Sequence, residues 1–124
     1  MTKYLCVLAG GGVGALLRFV IASAVAVRFP GRFPLGTFLI NVTGSFGIGL
    51  IMTLFVERYT VHENWRLLLV TGVLGGYTTF SSFEYEALVS LKTGNAQMGL
   101  LYVVSSVFSG FCAVWLGSWL VSRQ

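Results

Sequence analysis

The sequence predicts an all-α membrane protein with four transmembrane helices per subunit, the third of them broken, and three observations carry that prediction. The chain is 56% hydrophobic and 10% charged, with a mean hydropathy of +0.84, whereas soluble domains carry about 25% charge. Four long apolar segments recur, at about 4–27, 36–56, 67–91 and 98–121, each near or above the ~20 residues that cross a bilayer as a helix. The gaps are short and hold most of the charge: Arg28 and Arg32 in the first, Glu57, Arg58, His62, Glu63 and Arg66 in the second, Lys92 in the third. That leaves no room for an extramembrane domain, so residues 1–124 read as a single transmembrane domain.

The first span is longer than the apolar core of a signal peptide and holds a glycine cluster and Arg18 in its middle, so it reads as a retained helix. Its Gly10, Gly12 and Ala15 fit the dinucleotide fingerprint G-x-G-x-x-A. That motif needs a strand-helix-strand unit and an acid about 20 residues on, but the first acid is Glu57. Glycines that let helices approach closely explain the run better. In the second span Thr37, Asn41 and either Gly44 or Ser45 recur at helical spacing, putting a hydroxyl and a carboxamide on one face.

The third span contains Gly75-Gly76-Tyr77-Thr78-Thr79-Phe80-Ser81-Ser82-Phe83, a glycine pair followed by hydroxyls and two phenylalanines. Such a run predicts a break. Irregular backbone at membrane depth is tolerated only where protein buries it or a cavity meets it. If the helix resumes after the break, Phe80 and Phe83 share a face. In the fourth span Tyr102, Ser105 or Ser106, and Ser109 form another polar stripe.

Each stripe has a plainer explanation, since Ser and Thr bond back to their own helix and phenylalanines fill cores. Three stripes together, with an asparagine inside a span, favour a lined path. Amide and hydroxyl donors suit an anion that has lost its water, and the positive edge of a phenylalanine ring favours an anion without trapping it. Carbonyls freed at the glycine break have the opposite chemistry and suit a small hard cation; a simple kink is the alternative.

The remaining residues exclude other classes. The net charge of +4 is scattered, which gives no nucleic-acid footprint. Cys6 and Cys112 lie inside spans as packing residues, and His62, the one histidine, sits in a loop without a nucleophile or metal-ligand partner, so no enzyme is predicted. Glu84 and Glu86 follow the phenylalanines near the end of the third span and read as solvated interface acids, with a pore mouth as the alternative place for one of them.

Orientation is nearly undetermined by charge. The side with both termini carries Lys3, Arg58, Arg66 and Arg123, and the other carries Arg28, Arg32 and Lys92. Insertion in both orientations, and hence an antiparallel dual-topology homodimer, follows as an expectation. Small pairs at four-residue spacing, Gly10 with Gly14, Gly72 with Gly76 and Thr43 with Gly47, permit close helix contact either between subunits or within one.

These residues resemble, along nearly the whole chain, the small prokaryotic fluoride channels called Fluc or CrcB. Gly10 to Arg18 looks like that family's glycine-rich first helix, Gly36-Thr37 with Asn41 like its second-helix motif, and Gly75 to Phe83 is similar to its third-helix signature almost residue for residue. The resemblance implies a dual-topology homodimer in the cell (inner) membrane of a prokaryote, passing fluoride out through two antiparallel pores and relieving accumulation of HF. It implies Phe80 and Phe83 beside the fluoride path with Asn41 as a donor. Thr37, Ser82, Tyr102, Ser106 and Ser109 are carried over as further path residues, and Arg18 as an anchor near a vestibule. The carbonyls of Gly75 and Thr78 would hold a structural sodium ion at the dimer centre. A small proton-coupled multidrug or cation exporter is the nearest rival; it should hold a carboxylate in its first span, where this chain has none. A non-transporting membrane subunit explains the small residues but not the three stripes.

Overall fold

The computed structural model describes residues 1–58 and 61–123. The first apolar segment folds as helix α1 (Thr2–Arg28), and a loop bearing Pro30 and Pro34 turns the chain into α2 (Leu35–Thr53), which continues into a π-helical turn at Leu54–Arg58. The third stretch is composite: α3 (Glu63–Arg66), a π-helical segment Leu67–Leu74 and α4 (Gly75–Tyr77), then extended Thr78 and Thr79, then α5 (Phe80–Lys92). A short turn leads to α6 (Ala96–Ser122). No strand occurs among the described residues.

Among the described residues, three helical segments are long and apolar enough to cross a membrane: Thr2–Arg28, Leu35–Glu57 and Ala96–Ser122. The third stretch begins four residues before the predicted Leu67, because His62 Nδ1 accepts the Asn64 N–H at 3.2 Å and caps a helix that starts at Glu63. Lys3 on α1 pairs with Glu63 there and ties this helix start to the first helix. At the far end, the Asn95 N–H reaches the Ser90 carbonyl at 3.0 Å, with Gly94 at φ 80°. This is a Schellman closure, and glycine is the residue that adopts that φ without strain.

Glycines set the packing of two helix pairs. A β-carbon on Gly10 would stand 2.9 Å from the Gly72 Cα, and one on Gly14 would stand 2.8 Å from the Tyr77 N, so α1 lies backbone to backbone on residues 67–77. On the other side, a β-carbon on Gly49 would meet the Val114 backbone and one on Gly117 would stand 2.8 Å from the Leu50 N, joining α2 to α6. Thr53 Oγ1 donates to Ser118 Oγ at 2.9 Å, and Ser122 Oγ donates to Glu57 at 2.9 Å, so polar groups extend that seam to its end. The small pairs Gly10–Gly14 and Gly72–Gly76 therefore meet each other within one chain. Thr43 and Gly47 likewise face Tyr77 and Leu74 of the same chain. Neither set is left over as an argument for a contact between copies.

Candidate functional site

The site begins at the break. Thr78 (φ −78°, ψ 157°) and Thr79 (φ −149°, ψ 123°) are extended, so the helical ladder stops and the freed groups must find partners. The Thr78 N–H and Oγ1 both donate to the Leu74 carbonyl, at 3.0 and 2.9 Å. The Thr79 N–H donates to Asn41 Oδ1 at 2.8 Å, and Asn41 Nδ2 donates to the Thr79 carbonyl at 2.9 Å. The carboxamide thus pairs with Thr79 as a neighbouring strand would. In a continuous helix that Thr79 N–H would close onto the Gly75 carbonyl; given to Asn41, it leaves the exposed Gly75 carbonyl without its helical donor. Thr79 then caps the resumed helix: its Oγ1 accepts the Ser82 N–H at 3.3 Å and donates to Ser82 Oγ at 3.0 Å.

Beside the break lies an open-sided cavity of about 460 Å³, lined among others by Asn41, Thr79, Phe80, Phe83, Ser106 and Phe111. The helix resumes as expected, and the Phe80 and Phe83 rings lie 5.7 Å apart at 39°. Their settings differ: Phe83 is 7% exposed and Phe80 70%. The Ser106 Oγ is buried and has no hydrogen-bond partner. Gly44 and Ser45 both line this cavity, so both alternatives of the second-span stripe belong to it.

Phe83 leads to a second group. It packs on Tyr102 at 5.1 Å, and Tyr102, fully buried, packs edge-on against Phe33 at 5.3 Å. The Tyr102 hydroxyl donates to Glu86 Oε2 at 2.7 Å and Thr37 Oγ1 donates to Glu86 Oε1 at 2.8 Å. Thr37 and Glu86 line a second cavity of about 310 Å³ under the loop between α1 and α2, walled by Phe29, Phe33 and Pro34.

The predicted residues therefore fall into distinct places. Asn41, Thr78, Phe80, Phe83 and Ser106 gather on one cavity. Thr37 and Tyr102 converge on Glu86. Ser82 is engaged with Thr79, and half-buried Ser109 lines neither cavity. Arg18 is half-buried with its Nε unpartnered and likewise lines neither. Glu86 is the correction: it is a half-buried acceptor of two hydroxyls rather than a solvated interface acid, while Glu84 is exposed. Its signal in the sequence was position, three residues after Phe83 on the face of α5 that also holds Ser90.

The model of the family described as "CrcB-like protein, Camphor Resistance (CrcB)" matches residues 5–118. Among curated relatives, a protein of Solibacter usitatus is 50% identical over 98% of this chain and 99% of its own length. Proteins of Acidobacterium capsulatum and Chloroflexus aurantiacus are 47% and 46% identical, over 93% and 94% of this chain and 92% and 93% of their own lengths. All three carry the name "Fluoride-specific ion channel FluC". With a glycine-threonine break, a phenylalanine pair beside a polar-edged cavity and a family match along nearly its whole length, this chain belongs to the CrcB family of multi-pass membrane proteins.

Proposed function

We propose that this protein is a fluoride-selective channel that passes the ion out of the cell passively. The observation that carries the reading is the cavity in which Phe80 and Phe83 stand beside the Asn41 carboxamide and the unpartnered Ser106 hydroxyl. One Nδ2 hydrogen of Asn41 is held by Thr79, which leaves the other for a passing anion. The Ser106 O–H is a second donor, and ring edges supply weak positive potential without a fixed charge that would hold the ion. No energy source is required: a weak acid that enters neutral and dissociates inside leaves an anion that an inside-negative potential drives outward.

The reading includes four spanning helices, with 67–92 crossing as a broken third span, and an antiparallel homodimer. Support comes from the open side of the cavity, where Phe80 and Phe111 are mostly exposed and a second copy would complete the wall. The Gly75 carbonyl, deprived of its helical donor, and the extended Thr78 fit a sodium ion held by main-chain oxygens at the centre of such a dimer. Bound there, the ion would neutralise carbonyl dipoles facing each other across the two copies; the protein's part is to keep those oxygens out of the helix.

Planar bilayer recordings of the purified protein under a fluoride gradient test the function. A reversal potential that follows the fluoride gradient, unmoved by chloride, is expected; a current that follows chloride or cations refutes it. Labels at the chain termini read from both membrane faces test the dual topology, and label confined to one face refutes that part.

A further inference from the structure

Tyr77 is the one residue of the break whose side chain reaches across to α2 through a hydroxyl. Its hydroxyl lies 2.9 Å from Thr43 Oγ1. Thr43 donates its own proton to the Leu39 carbonyl at 2.7 Å, so the phenol is the donor of the Tyr77–Thr43 bond. The helix α2 is shaped to receive it. A β-carbon on Gly44 would stand 3.2 Å from Tyr77 Cδ1 and collide with the Thr78 methyl, so the missing side chain is what seats both residues. On the other flank of the break, Asn41 holds the Thr79 N–H and carbonyl. Residues 77 and 79 are thus each bonded to α2: the Thr78 carbonyl shares one planar peptide with the Thr79 N–H that Asn41 holds, and Tyr77 anchors the chain on its other side.

We propose that Tyr77 is a positioning residue: its hydroxyl bond to Thr43, acting with the Asn41 clamp, fixes the orientation of the Thr78 peptide and so of the carbonyl offered at the break. An extended residue between two helical ends has one soft torsion on either side. Held through the Thr79 N–H alone, the peptide can still pivot about that one bond, and anchoring Tyr77 as well removes that freedom. This rests on the reading of the break as a sodium site for its ligand, but not for the latch itself. Loss of the phenol weakens cation binding by roughly five-fold, the equilibrium weight of one net hydrogen bond. The ring of Tyr77→Phe still fills the space over Gly44.

The test compares the full-length parent, Tyr77→Phe, Thr43→Val and the double variant in detergent. Each is melted across a sodium titration at constant ionic strength, and hydrogen exchange is followed over residues 75–80. Each single variant is expected to raise the sodium midpoint roughly five-fold, the double no further, with the melting gap to the parent widening as sodium rises and then holding. A constant offset in melting with an unshifted midpoint would overturn the proposal, because that is what a purely structural contact produces. If the parent itself ignores sodium, the sodium reading fails separately, and exchange then decides the latch. Roughly five-fold faster exchange across the break in Tyr77→Phe supports it; unchanged exchange refutes it.

Discussion

Replacing Asn41 by aspartate separates the two duties that the structure gives this side chain. The carboxylate retains the acceptor for the Thr79 N–H at 2.8 Å, but its second oxygen replaces an amide that donates to the Thr79 carbonyl at 2.9 Å, so two acceptors face each other. Leaving that carbonyl unsatisfied costs about 1–3 kcal/mol. The larger effect is on the ion. At ~5 Å and an effective dielectric of ~20, a unit charge repels a passing anion by about 3 kcal/mol, or roughly two orders of magnitude in occupancy. Asn41→Ser removes both bonds to Thr79 and costs more stability, yet places no charge on the cavity wall. Stopped-flow fluoride efflux from liposomes, together with melting in detergent, is the assay. The expected order of flux is parent, then Asn41→Ser, then Asn41→Asp at least roughly 100-fold below parent, with Asn41→Ser the less stable. Equal flux in the two variants would refute the placement of Asn41 on the ion route.

The two phenylalanines separate on stability. Phe80→Ile, at a ring exposed within the chain, should lower melting less than Phe83→Ile, at a ring packed on Tyr102, while both cut flux severely; unchanged flux in both removes the phenylalanines from the path. Gly72→Ala forces a methyl to within 2.8 Å of the Gly10 Cα, and should destabilise the fold by about 1–3 kcal/mol or more as the helices part; a melting temperature within a degree of parent contradicts the backbone contact. The Lys3 ammonium bonded to Glu63 holds that carboxyl below its ordinary value of 4.5. Because the folded value is the lower one, the contribution is full above 4.5 and is lost as pH falls through the folded value. Glu63→Gln should therefore flatten the acid limb of the melting profile slightly, and an identical limb argues against the pair.

The break and its phenylalanines were legible because local chemistry writes them: a glycine pair, a threonine that caps the turn behind it, and a threonine that caps the helix ahead. The role of Asn41 was half legible. A carboxamide in an apolar span announces a polar partner, but that the partner is the Thr79 backbone, 38 residues away, is decided by tertiary packing. Glu86 was misread for a related reason. Its nearness to the end of the apolar segment suggested solvent, yet tertiary packing brings Thr37 of α2 and Tyr102 of α6 onto the carboxylate. Small pairs at four-residue spacing announce that helices meet and cannot say which ones, since the same backbone approach serves one chain or two. The fourth-span stripe divided, with Ser106 on the cavity, Ser105 bonded back to the Tyr102 carbonyl at 3.3 Å and Ser109 lining neither cavity, because a stripe of that width covers more helix face than one path occupies.

Efflux of fluoride from liposomes bearing the purified protein, read with a fluoride electrode and gated by valinomycin, tests the central claim most directly. Rapid fluoride loss that requires the potassium shunt, with chloride retained in parallel liposomes, is the predicted result. Fluoride held in the presence of valinomycin by well-folded protein, or chloride lost as fast as fluoride, would contradict it.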